Sequence, residues 1–350
     1  MNRDMEDCEA ILHQEEASPV TLRDGALRVE GHRQDLLRRF RSTPFANDLQ
    51  LMGRTIRVES NESAVVCLAV DFFQSHQHGT PDEPEFTWRL MCERDARAQS
   101  TAVPLAAFSD VRLGYMNIGQ RGFVAVDSSR REAAGYLSDA FVGADARLRH
   151  RPPLDILFCM TAPSLGLVAL SGGCVGRDGR GVMVFGAPNA GKTTSCYLAA
   201  RSGLEFQADQ LVFLDARLGN AWGDPFPAVF RLETLNFLPE LQSQVHHSSY
   251  QDSSFCYFDK SSMQPSEARP IQPVCSLFLN RDAGCKTELR EIQPEEAELW
   301  LRASVLFEED PDFEEQISSA IRCLTEKPVY ELRYDSDPAI AAAYIEKMVR

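Results

Sequence analysis

Positive charge is scarce in this chain, and lysine is its scarcest source. The 350 residues carry 36 Lys and Arg against 51 Asp and Glu, which gives a formal net charge of −15. This balance argues against nonspecific binding to nucleic acid and against attraction to an anionic membrane surface. Arginine supplies most of the positive charge, and Lys192 is the only lysine among the first 259 residues. Lys192 is therefore a candidate for a specific role.

Long apolar runs are also lacking. The longest apolar stretch, Ile156–Leu170, is interrupted at Thr161, Pro163, Ser164 and Gly166. Because a membrane-spanning helix needs about 20 apolar residues, this stretch is too short and too broken to cross a bilayer. It predicts a buried helix followed by a buried strand. The first sixteen residues are rich in acidic side chains, unlike a secretory signal. The sequence thus predicts a cytoplasmic protein without membrane insertion.

Paired cysteine motifs are missing, although the chain contains ten cysteines. No two of them form a C-x-x-C motif, and most stand singly in or beside apolar runs. Scattered cysteines of this kind are typical of reduced core residues. A zinc site usually requires paired spacing, so the spacing argues against one.

A phosphate-binding loop is the strongest motif that the chain contains. Gly186–Thr194 fits the pattern G-x-x-x-x-G-K-[ST] at every fixed position. The apolar run before it, Gly181–Phe185, predicts a buried strand, and Thr194–Ser202 predicts the first turns of a helix. A strand, a glycine loop and a helix N-terminus together form a site for a triphosphate.

Each part of the loop has a predicted task. Gly186 and Gly191 let the backbone turn its N–H groups inward, and the helix N-terminus adds donors and a partial positive charge. Lys192 is predicted to reach the β- and γ-phosphates of ATP, and the Thr193 hydroxyl to hold Mg²⁺. The predicted nucleotide contacts are Gly186, Ala187, Pro188, Asn189, Ala190, Gly191, Lys192, Thr193 and Thr194.

Two aspartates after the loop are candidates for holding the metal. Asp209 lies between two apolar stretches, seventeen residues after Lys192. Asp215 ends the apolar run Leu211–Leu214, which is the general pattern of a hydrophobic strand followed by Asp. Because Asp215–Asn220 resembles a hairpin loop, we favour a turn role for Asp215 over a metal role.

Composition divides the chain into three segments. Residues 1–42 are predicted to be a solvated or partly disordered N-terminal extension, with a basic amphipathic helix at Asp35–Phe40 as the alternative. Residues 43–150 are predicted to form a strand-rich α+β module, and residues 151–350 an α/β nucleotide-binding domain. Within that domain, the polar, Ser-rich segment 242–270 predicts a mobile or disordered loop.

The run around the phosphate loop resembles the HPr kinase/phosphorylase-related serine kinases, whose core is similar to ATP-dependent phosphoenolpyruvate carboxykinase. Gly181–Thr194, Arg201–Gly203 and Ala208-Asp209 match that family in order and spacing. Val329–Tyr334 resembles its less studied bacterial relatives. The resemblance covers roughly Pro152–Arg350. It implies a P-loop core with a mixed sheet and flanking helices, ATP and Mg²⁺ as cofactors, and a protein or peptide serine as phosphate acceptor.

The chain departs from the family at two positions. The family's His, about twenty-one residues before the lysine, falls on Ser171, and its second acidic residue falls on Gln210. In the family these groups shape the phosphate site and take the proton from the serine hydroxyl. Asp209 is retained, so the resemblance implies that Asp209 serves as the catalytic base or as a metal partner beside the catalytic Lys192.

Three functions are compatible with these residues. The first is a kinase that transfers the ATP γ-phosphoryl group to a serine hydroxyl, with Asp209 orienting or deprotonating the acceptor. The second is a regulatory protein that binds nucleotide with little catalysis, which the residues Ser171 and Gln210 favour. The third is a generic P-loop NTPase that uses Asp215; the Asn-Lys-x-Asp pattern of guanine recognition is absent. The sequence leaves open which serine is the phosphate acceptor and whether the chain forms a homo-oligomer.

Overall fold

The computed structural model describes most of the chain from residue 41 to the C-terminus, together with two short strands before it. The described residues are 21–23, 26–28, 41–73, 83–93, 106–110, 113–118, 122–142, 151–224, 228–247, 255–258, 269–306 and 313–350. The predicted alternative helix at Asp35–Phe40 lies outside them.

The first half of the described chain forms a seven-stranded mixed sheet. A short hairpin precedes it, formed by β1 (Thr21–Arg23) and β2 (Ala26–Arg28). The strands of the sheet are β3 (Phe45–Leu51), β4 (Arg54–Ser60), β5 (Phe86–Glu93), β6 (Ala106–Asp110), β7 (Leu113–Asn117), β8 (Gly122–Asp127) and β9 (Glu132–Ser138). Their spatial order is β3-β4-β5-β9-β8-β7-β6, and β5 is parallel to both of its neighbours.

Two longer helices pack on one face of this sheet. They are α1 (Ser63–Phe73) and α3 (Arg151–Thr161); a single turn, α2 (Asp139–Val142), lies between them in the chain. In β5 buried residues alternate with partly exposed ones from Phe86 to Leu90, and Trp88 is fully buried. Its indole Nε1–H donates to the Thr161 hydroxyl across 3.0 Å. This hydrogen bond connects the seven-stranded sheet to α3.

A six-stranded mixed sheet carries the phosphate loop. Its strands are β11 (Gly173–Arg177), β12 (Arg180–Gly186), β13 (Glu205–Ala208), β19 (Gln272–Arg281), β20 (Glu288–Glu291) and β21 (Val329–Tyr334), in the order β13-β11-β12-β19-β21-β20. The central strands β12, β19 and β21 are parallel. Their carboxyl ends therefore meet at one edge, where open α/β sheets bind ligands.

Helices cover both faces of the six-stranded sheet. On one face lie α4 (Lys192–Arg201) and α7 (Pro338–Val349). On the other lie α5 (Pro294–Arg302) and α6 (Glu314–Thr325), beside a small sheet of β10 (Leu167–Ser171), β14 (Leu211–Asp215) and β15 (Ala221–Gly223). Asp337 caps α7 by accepting a hydrogen bond from Ala339 N–H. The predicted α/β class, with mixed sheets and flanking helices, is confirmed.

The expectation of an irregular segment at 242–270 is wrong in two places. A third small sheet contains β16 (Ala228–Arg231), β17 (Val245–His247) and β18 (Phe255–Phe258). Cys256 and Phe258 are buried in the core that also holds Tyr197 of α4. Serines and other polar residues surround β18 in the sequence. Because four residues are enough for a strand that packs against one side of α4, the composition of the surrounding segment gives no sign of it.

None of the helices within these described ranges is long and apolar enough to cross a membrane.

Candidate functional site

The phosphate loop connects the end of β12 to the start of α4. Its backbone takes a positive φ at three residues: 140° at Gly186, 68° at Asn189 and 92° at Gly191. Ala190 N–H bonds back to Ala187 O across 3.1 Å, which closes a tight turn inside the loop. The loop thus has the curled backbone that directs successive N–H groups to one side.

The two fixed glycines of the motif are required by close contacts as well as by their φ angles. A Cβ atom at Gly186 would lie 2.6 Å from the carbonyl oxygen of Leu279 in β19. A Cβ atom at Gly191 would lie 2.6 Å from the hydroxyl oxygen of Tyr334 in β21. A side chain at position 186 would require the backbone of β19 to shift, and one at position 191 would require the Tyr334 side chain to shift.

Lys192 is the first residue of α4 and folds back over the loop. Its Nζ donates to Gly186 O at 2.7 Å and to Ala187 O at 3.2 Å. Burial lowers the pKa of Lys192 below its ordinary value, while the nearby Cys196 and Asp209 oppose this shift. The ammonium group therefore lies at the mouth of the loop, held by carbonyl oxygens that an anion's oxygens can replace.

The other loop residues surround this ammonium group. Ala187, Pro188 and Asn189 are exposed at the tip, and Ala190 is buried. Thr193 and Thr194 lie in the first turn of α4 and are partly exposed. A helix N-terminus presents unpaired N–H groups and a partial positive charge. Eight of the nine residues predicted to contact nucleotide are thus at least partly exposed, and Ala190 alone is buried.

Asp209 lies in the connection between β13 and β14, beside α4. Its side chain is 1% exposed, and Oδ2 accepts a hydrogen bond from Val229 N–H at 3.4 Å. A Cβ built on Gly173 would stand 2.8 Å from Cys196 Sγ and 3.4 Å from Asp209 Cα. Asp209 thus lies near Cys196 of α4, and its negative charge favours the charged form of Lys192.

Ser171 and Gln210 lie next to each other in the structure. Gly172 N–H donates to Gln210 O at 2.9 Å, and Ser171 pairs with Leu211 where β10 meets β14. Ser171 is exposed and Gln210 is partly exposed. Ser171 and Gln210 are therefore close together in this chain, and both are uncharged.

Asp215 is engaged in a different part of the molecule. Its Oδ1 accepts from the N–H groups of Arg217 and Leu218, and its Oδ2 accepts from Arg54 Nη2 at 2.7 Å. These bonds close the turn between β14 and β15, which agrees with the interpretation of Asp215 as a strand-end turn residue.

Tyr334 is a residue of this site that sequence reasoning missed. Its hydroxyl donates to Ala190 O across 2.6 Å, and its side chain is fully buried. In the sequence Tyr334 is only the last residue of Val329–Tyr334, and it is 144 residues from Ala190. No local pattern in the sequence joins the two.

The functional assignment of the chain depends on this loop and on the residues packed against it. Within the described part of the chain, no three His, Cys, Asp or Glu side chains are grouped as metal ligands. A divalent ion at the loop would thus depend on Thr193, Asp209 and the phosphate oxygens, a common arrangement for Mg²⁺.

A scan of protein-family models finds no match to this chain, and a search of curated proteins finds no similar sequence.

Proposed function

We propose that the chain binds ATP at Gly186–Thr194 and transfers its γ-phosphoryl group to the hydroxyl of a serine in a protein or peptide. The nucleotide-binding part of this proposal is supported by the curled loop after the carboxyl end of β12 and by Lys192 Nζ, which donates to Gly186 O in that loop. The transfer and its acceptor come from the resemblance to the HPr kinase-related proteins, and so does a core of the HPr kinase type for residues 151–350.

The residues of the loop have distinct roles in this proposal. The loop amides and the N-terminus of α4 bind the phosphate oxygens. Lys192 exchanges its bonds to Gly186 O and Ala187 O for bonds to the β- and γ-phosphates. Thr193 and Asp209 would hold Mg²⁺, which neutralises charge on the phosphates when it is bound.

Asp209 has a second role toward the acceptor in this proposal. A serine hydroxyl is a weak nucleophile, and a base must lie within hydrogen-bond reach to take its proton. Because Asp209 is 1% exposed, an acceptor reaches it only after the covering residues move. Opening of the site therefore precedes phosphoryl transfer.

A nucleotide-binding regulatory protein with little catalysis is the second candidate. Two observations favour it: the burial of Asp209, and the uncharged Ser171 and Gln210 side by side where the family has a His and an acidic residue. The generic NTPase that uses Asp215 is the weakest candidate, because three hydrogen bonds from Arg54 and the turn occupy that carboxylate.

Calorimetric titration with ATP and Mg²⁺ tests the nucleotide site. We expect the wild type to bind and Lys192→Ala to lose binding, because the variant removes the charge at the loop mouth. Lys286→Ala removes an exposed lysine elsewhere and is the matched control. Retained binding by Lys192→Ala would contradict the assignment of the loop.

Incubation with γ-labelled ATP and candidate peptides or lysate separates the first two candidates. A kinase labels a protein or peptide in the wild type and loses this activity in Asp209→Asn. Asp178→Asn, in the exposed turn between β11 and β12, is the matched control for removing one acidic charge. Nucleotide binding without transfer by the wild type would reject the kinase and leave the regulatory protein.

A further inference from the structure

Tyr334 joins the end of β21 to the end of the phosphate loop. Its ring is fully buried in the core formed by β12, β19, α4 and α7. Its hydroxyl donates to the carbonyl oxygen of Ala190 at 2.6 Å. Ala190 is itself buried, so this carbonyl lies inside the protein and takes its bond from a fixed strand.

The bond determines the direction of the next amide in the loop. The carbonyl of Ala190 and the N–H of Gly191 belong to one planar trans peptide unit, so they point in opposite directions. Because Tyr334 holds the carbonyl on the side of the sheet, the N–H of Gly191 faces away from the sheet. That N–H begins the series of donors that continues into the first turn of α4.

The hydroxyl also fills the space in which a side chain of residue 191 would lie. A Cβ on Gly191 would be 2.6 Å from it, and the φ of 92° at Gly191 is one that glycine adopts readily. The glycine and the tyrosine are thus a matched pair, one on the loop and the other on β21.

We infer that Tyr334 is a positioning residue for phosphate binding, which orients the Ala190–Gly191 peptide of the loop from the sheet side. The inference rests on the proposed nucleotide site and adds a residue distant from the motif. Its ligand class is any compound with a di- or triphosphate group, since the oriented amide contacts phosphate oxygens and not the base.

Tyr334→Phe removes the hydroxyl and keeps the ring. The matched control is Tyr330→Phe, which removes a hydroxyl from the same strand and the same face of the sheet; the ring of Tyr330 packs at the edge of the same core. We expect Tyr334→Phe to weaken binding of ATP and of inorganic pyrophosphate by the same factor, about 5- to 30-fold, because a buried carbonyl loses its donor and the peptide is free to turn. Tyr330→Phe should stay within about twofold of the wild type.

Titration calorimetry with both ligands, at a temperature where each variant is folded by circular dichroism, gives distinct outcomes. Absence of binding by the wild type rejects the nucleotide site itself. Wild-type binding with unchanged affinity in Tyr334→Phe overturns the positioning role alone. A loss for ATP but not for pyrophosphate, or an equal loss in Tyr330→Phe, also overturns it.

A double-mutant cycle with Gly191→Ala adds an independent test. In the wild-type background the new Cβ meets the Tyr334 hydroxyl, whereas in the Tyr334→Phe background that contact is removed and the φ strain is unchanged. We expect Gly191→Ala to weaken pyrophosphate binding less in the Phe background. Equal losses in both backgrounds would show that the hydroxyl does not shape this end of the loop.

Discussion

Arg54 in β4 donates a hydrogen bond from Nη2 to Oδ2 of Asp215 at the end of β14, across 2.7 Å. The two side chains are 13% and 4% exposed, so this is a largely buried ion pair. It connects the seven-stranded sheet to the small sheet that follows the phosphate loop in the chain. The same pair keeps Asp215 in a structural role.

Breaking this pair should destabilise the protein without affecting the nucleotide site. Arg54→Met leaves the Asp215 carboxylate buried without its cation, and we expect a loss of about 3 kcal/mol in the free energy of unfolding. Arg57→Met breaks the more exposed pair between Arg57 and Asp48, which should cost less than about 1 kcal/mol. Urea unfolding measures both values.

Titration with Mg²⁺ and ATP should show the same affinity in Arg54→Met as in the wild type. Asp215→Asn should likewise leave this affinity unchanged. A loss of Mg²⁺-dependent binding in Asp215→Asn would favour the generic NTPase over the kinase.

The features that the sequence predicts correctly are local. The strand at Gly181–Phe185 and the helix that follows the loop lie within about twenty residues, and their patterns need no information from elsewhere in the chain. Trp88 and its neighbours in β5 alternate because one face of that strand is buried, so the period of two is visible in the sequence.

The features that the sequence does not reveal depend on distant residues. Tyr334 contacts Ala190 because only one strand, β19, lies between β21 and β12 in the sheet. No short segment of the sequence indicates this strand order. The strand at Phe255–Phe258 is hidden by the polar residues around it, since its pairing with β16 is what makes it a strand. The burial of Asp209 also follows from tertiary packing.

The close approach of β19 to the phosphate loop should make Gly186 far less replaceable than Gly179. Both glycines have positive φ, 140° and 75°, at opposite ends of β12. Gly179→Ala meets no atom within 4 Å, so only its φ strain of about 1 kcal/mol is expected. Gly186→Ala adds a contact of 2.6 Å with Leu279 O, which raises the expected cost to roughly 2–4 kcal/mol.

Thermal and urea unfolding of the two glycine variants measure this difference. Pyrophosphate binding should weaken in Gly186→Ala and stay unchanged in Gly179→Ala, since only the former distorts the loop. Equal stability of the two variants would mean that the loop can move away from β19 at little cost.

The bond between Trp88 and Thr161 should contribute to the stability of the whole chain. Thr161→Val removes the acceptor of the Trp88 indole N–H in a site that is 0% exposed. An unpaired buried donor costs about 1–3 kcal/mol. Thr325→Val, at the end of α6, removes an exposed hydroxyl that bonds Arg322 O, and it should cost less than about 0.5 kcal/mol.

Urea unfolding followed by tryptophan fluorescence measures the effect of these threonine variants. A single transition that shifts for Thr161→Val would indicate that the seven-stranded sheet unfolds together with the rest of the chain. Two separate transitions, with only the one assigned to the sheet affected, would contradict that coupling.

The lowered pKa of Lys192 should give phosphate binding and folding opposite responses to alkaline pH. Burial disfavours the charged form, so Lys192 loses its proton below the ordinary lysine value of 10.5. Because an anion prefers the charged lysine, pyrophosphate affinity should fall as the pH rises through that lowered pKa. In Lys192→Arg the side chain at this position stays charged over the whole pH range. Dividing the wild-type affinity by that of Lys192→Arg at each pH therefore removes the contribution of the titrating ligand.

The sign for folding is the reverse. Between the lowered pKa of Lys192 in the folded chain and 10.5 in the unfolded chain, the unfolded state binds more protons, so the contribution of this lysine to stability rises with pH. The free energy of unfolding of the wild type should therefore increase relative to that of Lys192→Met as the pH approaches 10.5. If the difference in the free energy of unfolding between the wild type and Lys192→Met is constant with pH, the folded protein does not disfavour charged Lys192. The loss of pyrophosphate affinity below pH 10.5 should then be absent as well.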